Sequence, residues 1–90
     1  MIFTAIDGGK VGFVEILIEG GADLNICDKK GTTPLILSSS LGKTEITQLL
    51  IDNGADESLV DKNGKKAIDR AKNPSTKYLL LSSALERRVE

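Results

Sequence analysis

Apolar residues in the middle of the chain recur at the spacing of an amphipathic helix. Ile46, Leu49 and Leu50 occupy positions i, i+3 and i+4, which places their side chains on one stripe of a helix. The helix is predicted to begin near Thr44 as its N-cap and to end at Asn53-Gly54, because these residue types best accept the left-handed backbone beyond a helix end. The apolar stripe must then pack against another element.

A shorter helix is predicted immediately upstream. Thr33-Pro34 can open it, since a proline in the first turn of a helix loses no hydrogen bond. Leu35 and Leu37 supply its apolar side chains, and Gly42 ends it in a tight turn. Residues 33–54 therefore predict a pair of antiparallel helices.

An extended arm is predicted after the second helix. It contains "DKNG" at residues 61–64, an Asp-x-x-Gly turn in which glycine supplies a positive φ without steric cost. The same kind of turn occurs earlier as "DKKG", residues 28–31. Each arm should therefore project from the helices and end in a turn.

The chain repeats itself with a period of 33 residues. Between residues 9 and 31, ten of 23 positions are identical to the position 33 residues later, where ordinary residue frequencies would give roughly one or two. The identical positions of the first copy are Gly9, Lys10, Leu17, Ile18, Gly21, Ala22, Asp23, Asp28, Lys29 and Gly31. Because one helix pair cannot bury its stripe alone, the repeat predicts an all-α stack of helix–turn–helix units with one continuous core.

The two ends of the stack are predicted to differ. The residues expected on an open N-terminal end are Ile2, Phe3 and Ile6. In the last unit, Asn73-Pro74 predicts a final helix that runs toward Arg88. The inward residues of that helix are expected to be Tyr78, Leu79, Leu81 and Leu85. The polar first helix of this unit suits a terminal cap, whose outer face meets water.

Gly42-Lys43-Thr44 matches the end of a phosphate-binding loop, with a short apolar run before it and an amphipathic stretch after it. A complete loop needs glycine at position 37, where this chain has Leu37. The Gly-Lys pair also recurs at Gly9-Lys10, one period earlier. We therefore expect a structural role for this pair and no nucleotide binding.

Composition makes other classes of function improbable. The formal net charge of −1 gives no global attraction to nucleic acid or membrane. The chain lacks histidine, and its single cysteine excludes an intrachain disulfide and mildly favours a reducing compartment. The aspartates expected at turns and helix ends, where they accept backbone hydrogen bonds, are Asp7, Asp23, Asp28, Asp56, Asp61 and Asp69. We expect no catalytic residues, no cofactor and no metal site.

The stretch "GTTPLILSSSLGKTEITQLLIDNGADESLVD", residues 31–61, resembles the ankyrin repeat. It matches the family's G-x-T-P-L-H, x-G-H and L-L-x-x-G-A-D elements. The resemblance implies an ankyrin-repeat solenoid with projecting turn arms, as a single domain over 1–90. Its parts would be a partial first repeat (1–28), a full repeat (29–61) and a C-terminal capping repeat (62–90). The family's histidine, which ties helix to turn, is Ile36 here and Asp69 in the last unit.

The resemblance also implies a partner-binding face on the arm tips and the first helices. The residues that map to this face are Asp7, Cys27, Lys29, Lys30, Thr32, Ser40, Leu41, Lys62, Asn63 and Lys65. The tip lysines form a basic ridge for an acidic partner, or alternatively a solvated edge that only keeps the protein soluble. Leu41 is either an exposed anchor for the partner or a side chain packed beside the turn.

Asn25 lies in a context, "LIEGGADLN", that resembles ankyrin-repeat asparagines modified by an oxygen-dependent hydroxylase. The alternative, which we favour, is that its side-chain amide stabilises the arm.

The expected function is a non-catalytic protein-protein interaction module, in the cytoplasm or nucleus, that acts as a regulator or inhibitor by docking. Its partner is expected to be another protein with an acidic surface, and not nucleic acid, membrane or nucleotide. The alternative is a structural end segment of a larger ankyrin-repeat protein, with no specific binding site of its own.

Overall fold

A computed structural model describes residues 2–88, apart from the side chains at positions 84 and 86–88. Within that part of the chain the regular elements are six helices. They are α1 (Ile2–Asp7), α2 (Val11–Glu19), α3 (Pro34–Leu41), α4 (Thr44–Asp52), α5 (Ala67–Arg70) and α6 (Pro74–Arg88). The predicted all-α fold class is confirmed.

The helices form three pairs, which we call unit 1 (α1, α2), unit 2 (α3, α4) and unit 3 (α5, α6). The first helices form one layer, in which α3 packs on both α1 and α5, and the second helices form the other, in which α4 packs on α2 and α6. Arm 1 (residues 20–33) and arm 2 (residues 53–66) join successive units. The core lies between the layers and is built from aliphatic side chains: Ile6, Val14, Leu35, Ile46, Leu50 and Leu80.

The two Gly-Lys pairs occupy equivalent turns between the helices of units 1 and 2. Gly9 has φ +68° and Gly42 has φ +73°, a left-handed conformation that glycine accepts without steric cost. The Gly42 N–H donates to the Ser39 carbonyl at 3.1 Å, and the Lys43 N–H donates to the Ser38 carbonyl at 2.9 Å. The pair therefore ends one helix and leads into the next, as its recurrence predicted.

The start of α4 differs by one residue from the prediction. Thr44 is the first residue of the helix, and Lys43 is the N-cap, without a side-chain capping bond. The Thr44 hydroxyl instead lies 3.0 Å from the hydroxyl of Thr76 in unit 3. The Thr44 hydroxyl therefore contacts unit 3 and does not cap α4.

The Ile36 position, where the family motif has histidine, is buried in α3. The Thr33 hydroxyl caps this helix by accepting from the Ile36 N–H at 3.2 Å. Threonine therefore caps this helix without the histidine.

Both expectations about the ends need correction. Ile2 and Ile6 are buried and Phe3 is half-buried, because α1 packs against α3. Among the α6 side chains that the structure describes, Thr76 and Leu80 are buried, whereas Tyr78, Leu81 and Leu85 are exposed. Leu79 is half-buried, so the inward face of α6 was wrongly predicted for three of its four residues. The helix itself begins at Pro74 as predicted, and the Asn73 side chain accepts from the Thr76 N–H at 2.9 Å.

Candidate protein-binding surface

The two arms end in nearly identical turns. In arm 1, Asp28 Oδ1 accepts from the N–H groups of Lys30 at 2.8 Å and Thr32 at 3.0 Å. In arm 2, Asp61 Oδ1 accepts from Asn63 at 2.9 Å and Lys65 at 3.1 Å. Each aspartate carboxylate accepts N–H groups of its turn that have no backbone carbonyl as partner. These hydrogen bonds give both tips a fixed shape.

The tips lie side by side. The Lys62 N–H donates to the Lys30 carbonyl at 3.1 Å, which joins the two turns through their backbones. The side chains of the tip lysines, which are Lys29, Lys30, Lys62 and Lys65, are all exposed. The stacking therefore gathers four ammonium groups on one edge.

Gly31 of the first tip lies directly against the second tip. A Cβ on Gly31 would lie 3.0 Å from the Lys62 backbone nitrogen, whereas a Cβ on Gly64 would meet nothing within 4 Å. Both glycines have positive φ, +77° and +75°. Gly31 and Gly64 therefore share a backbone conformation, but only Gly31 has the other tip packed against it.

We expect Gly31→Ala to destabilise the protein more than Gly64→Ala. Each substitution puts alanine in a left-handed conformation at a cost of roughly 1–2 kcal/mol. Only Gly31→Ala must also push the tips apart, which adds about 1–3 kcal/mol of overpacking. Urea unfolding of both variants measures the difference, and equal losses would contradict the close contact of the tips.

Asp61 connects the second tip to unit 3. Its Oδ2 accepts from Arg70 Nε at 2.9 Å and pairs with the second guanidinium nitrogen at 2.8 Å. Burial would raise the pKa of the Asp61 carboxyl, but the N–H donors of Lys65 and Asn63 and the Arg70 guanidinium together hold this pKa below its ordinary value.

This pKa direction predicts a pH dependence of stability. A carboxyl whose folded pKa is depressed contributes stability that is fully present above its unfolded pKa, near 3.8, and is lost as the pH falls through the lower folded value. We therefore expect Asp61→Asn to lose stability at neutral pH and to show a shallower decline in acid than the parent. Urea midpoints at a series of pH values down to 3 measure both, and an unchanged acid slope would contradict this role.

A groove of about 310 Å³ lies between the tips and the first helices. Its floor includes Ile36 and Leu37 of α3, and Arg70 stands one period after Leu37. The polar residues of its wall are Asp28, Lys30, Thr32, Ser40, Asp61, Asn63 and Arg70. Both wall aspartates accept backbone N–H groups in their own turns. The lysine ammonium groups at the tips are exposed to solvent.

The predicted site residues separate into two groups. Lys30, Thr32, Ser40 and Asn63 line the groove. Lys29, Lys62, Lys65 and Cys27 are exposed on the arms around it, and Asp7 is exposed at the end of α1, outside the groove lining. Leu41 is half-buried against the core, so packing beside the turn describes it better than an exposed anchor does.

Sequence reasoning missed Ile36, Leu37 and Arg70 as part of the groove. The repeat register could have identified two of them, because Leu37 and Arg70 occupy the same position of the first helix in successive units, 33 residues apart. Ser40, one turn further along the same helix, had been assigned to this face. Extending that face by one helical turn would have added Leu37 and Arg70.

Asn25 has a structural role in arm 1. Its Oδ1 accepts from the Asp56 N–H at 2.9 Å, a bond that connects arm 1 with arm 2. This contact supports the interpretation that the amide stabilises the arm. Hydroxylation of Asn25 stays a prediction.

The backbone N–H groups of the Gly-Lys-Thr stretch form hydrogen bonds within the fold. A depression of about 350 Å³ is lined by Gly9, Val11 and residues 42–46. The N–H groups of Gly42, Lys43 and Thr44, which a phosphate would need, all donate to backbone carbonyls. Lys43 and Glu45 both line the depression, so it carries one charge of each sign and has no net attraction for an anion.

We therefore expect no binding of ATP or GTP to the chain. Isothermal titration with the magnesium nucleotides should give no heat beyond dilution up to millimolar concentration. Micromolar binding that Lys43→Ala abolishes would contradict this expectation.

The described residues contain neither a metal-binding cluster nor a membrane-spanning helix. Within them, no group of three or more His, Cys, Asp or Glu side chains is placed to hold a metal ion. Across residues 2–88, none of the helices combines the length and the apolar character needed to cross a membrane.

Stacked helix pairs with projecting arms define a repeat protein of the helix–turn–helix class. A family model described as ankyrin repeats, three copies, matches residues 2–86. The chain belongs to the ankyrin repeat family, as its sequence predicted. Ankyrin repeats are generally protein-protein interaction modules and are typically non-catalytic. No curated protein matches the chain.

Proposed function

We propose that the chain binds an acidic, extended segment of a partner protein in the groove between its arm tips and first helices, and that it acts without catalysis. The observation that carries the proposal is the hydrogen bond from Lys62 to the Lys30 carbonyl, because it brings the tip lysines together beside the groove.

The charge distribution supports an acidic partner. The tip lysines are exposed on the arms, whereas Glu15, Glu19, Glu45 and Asp52 are exposed on the second helices. The exposed charged side chains of α2 and α4 are thus all acidic and those at the two tips are mostly lysines, although the net charge is −1. Such a distribution attracts an acidic segment to the tips and repels it from α2 and α4.

The groove also favours an apolar side chain between the acidic ones. Its floor contains Leu37, which is half-buried and offers apolar surface beside Ile36. Its walls offer hydrogen-bonding groups from Thr32, Ser40 and Asn63. Thr32 and Asn63 are held by the hydrogen bonds of Asp28 and Asp61, and Ser40 lies in α3, so binding needs to order few further groups and loses little entropy.

Selection from a random peptide library displayed on phage tests this proposal. With the folded 90-residue chain as bait, the enriched sequences should carry Asp or Glu on both sides of an apolar residue. Bait with Lys30→Glu and Lys62→Glu should no longer enrich them. Enrichment of neutral or basic sequences by the parent chain would contradict the proposal.

A further inference from the structure

The last helix exposes a row of large apolar side chains. Tyr78, Leu81 and Leu85 are 74%, 48% and 60% exposed and follow one another at helical spacing, i, i+3 and i+7. Single exposed leucines are ordinary, but a contiguous row that includes a tyrosine, a residue type enriched at interfaces, is typical of a surface that another molecule covers. We call these residues the α6 stripe.

The α6 stripe faces away from the first helices. One period earlier, its positions are those of Glu45, Gln48 and Asp52, which are all exposed on α4. Helix α4 packs on α2, α3 and α6, so its exposed side faces outward from the second-helix layer. The stripe therefore lies on the outer surface of that layer, whereas the helical residues that line the groove belong to the first-helix layer.

Two contacts fix α6 beside α4. At the start of both helices, the hydroxyls of Thr44 and Thr76 lie 3.0 Å apart. Further along, the Ser83 hydroxyl donates to Glu57 Oε2 at 2.5 Å, which joins the second half of α6 to arm 2, just beyond the end of α4. The two helices therefore run parallel, and the axes of packed helices are about 8–10 Å apart. A single partner helix can contact both of them.

Carboxylates border the stripe on the side of α4. Since the two helices run parallel, the repeat register places Glu45 level with Tyr78 and Asp52 level with Leu85. Gln48 lies between the two carboxylates and donates to Asp52 at 2.7 Å. Among the described side chains, neither carboxylate pairs with a lysine or an arginine. We call Glu45 and Asp52 the acidic row.

A second copy of the chain does not complement this surface. Among the described side chains of the second helices, it offers four exposed carboxylates, on Glu15, Glu19, Glu45 and Asp52, and one ammonium group, on Lys77. Two such surfaces would repel each other through their like charges. The complementary occupant brings positive charges next to apolar side chains.

We propose that the α6 stripe and the acidic row bind an amphipathic, basic helix of a partner protein. Its aliphatic side chains, spaced i, i+3, i+4 and i+7, cover the stripe, as in other complexes in which a helix docks through one apolar face. Lysines or arginines on the flank of that helix lie against Glu45 and Asp52. The surface lies outside the groove, so this inference does not depend on the acidic partner of the groove.

A synthetic helical peptide tests the proposal on the 90-residue chain. The probe has about 18 residues, enough to form a helix on binding, with leucines at i, i+3, i+4 and i+7 and lysines on both flanks. A second peptide has glutamines in place of the lysines. Fluorescence anisotropy should show that the parent chain binds the lysine peptide about tenfold more tightly than the glutamine peptide.

Two variants of the surface should each weaken binding of the lysine peptide by about tenfold or more. Tyr78→Gln with Leu81→Gln removes apolar contact, and Glu45→Lys with Asp52→Lys reverses the charge of the acidic row. All four side chains are exposed, so the urea midpoints should stay close to that of the parent.

The matched control for the acidic row is Glu15→Lys with Glu19→Lys. It changes the net charge equally on α2, one helix further from the stripe, and should leave binding nearly unchanged. Lys30→Glu with Lys62→Glu should also retain binding, which separates this surface from the groove.

The proposal would be overturned by a parent chain that does not bind the lysine peptide, or by equal losses of affinity in the two pairs of glutamate or aspartate reversals. Binding that ignores the two glutamines in the stripe would also contradict it. So would a parent chain that sediments as a dimer and becomes monomeric with those glutamines, because the occupant would then be a second copy.

Discussion

Truncating Leu50 to alanine should remove a large share of the stability of this protein. Leu50 is fully buried on the stripe of α4, in the central unit of the stack. Loss of a buried leucine side chain costs about 2–5 kcal/mol, through lost transfer free energy and the cavity left behind. Domains of this size hold roughly 5–15 kcal/mol in total, so the variant should be partly unfolded at moderate temperature.

The matched control is Leu85→Ala, the same chemical change at a position that is 60% exposed on α6. Substitutions at such surface sites usually change stability by less than about 0.5 kcal/mol. Urea unfolding followed by circular dichroism compares the two variants. Similar losses would mean that α4 does not direct its stripe into the core, and the repeat register would then be wrong.

Reversal of two tip lysines, one in the groove wall and one beside it, should have the largest effect on binding. Lys30→Glu with Lys62→Glu places two carboxylates where we propose that an acidic segment docks. Affinity for a peptide selected by the parent chain should fall by about tenfold or more, mainly through slower association. The parent's affinity should also weaken as salt rises, because salt screens charges at exposed surfaces.

Lys10→Glu with Lys77→Glu is the matched control for the lysine reversal. Both lysines are exposed and neither lines the groove, so the net charge changes equally at a different place. Binding should be nearly unchanged in this variant, and the urea midpoints of both double variants should stay close to that of the parent. Equal losses of affinity in the two pairs would mean that net charge, and not the groove, governs binding.

The periodic features of the fold could be predicted from the sequence. The 33-residue shift located both Gly-Lys turns and both Asp-x-x-Gly tips, because each of these depends on one residue with a special backbone conformation. Local chemistry decides such positions, and the repeat supplies a second copy as a check.

Contacts between units could not be predicted from the sequence in the same way. The hydrogen bond between Thr44 and Thr76 joins residues 32 positions apart, and no local sequence pattern predicts it. The stripe of Tyr78, Leu81 and Leu85 has helical spacing and suggested a core, yet Tyr78 is 74% exposed. Spacing identifies residues that share a face, but the neighbouring unit decides which face is buried.

The register would have corrected the prediction for α6. One period earlier, Tyr78, Leu81 and Leu85 correspond to Glu45, Gln48 and Asp52, which are exposed on α4. Leu80 corresponds to Thr47, which is buried. Position within the repeat was therefore a better guide to burial than the apolar character of the residue.

Nuclear magnetic resonance mapping tests the central claim most directly. The isotopically labelled 90-residue chain is titrated with an acidic peptide selected from the library, and the amide shifts are followed residue by residue. We expect the largest changes at the tips and the groove wall, at Lys30, Thr32, Ser40 and Asn63, with little change along α2. Binding that shifts the amides of α2 and leaves those of the two tips unmoved would contradict the account.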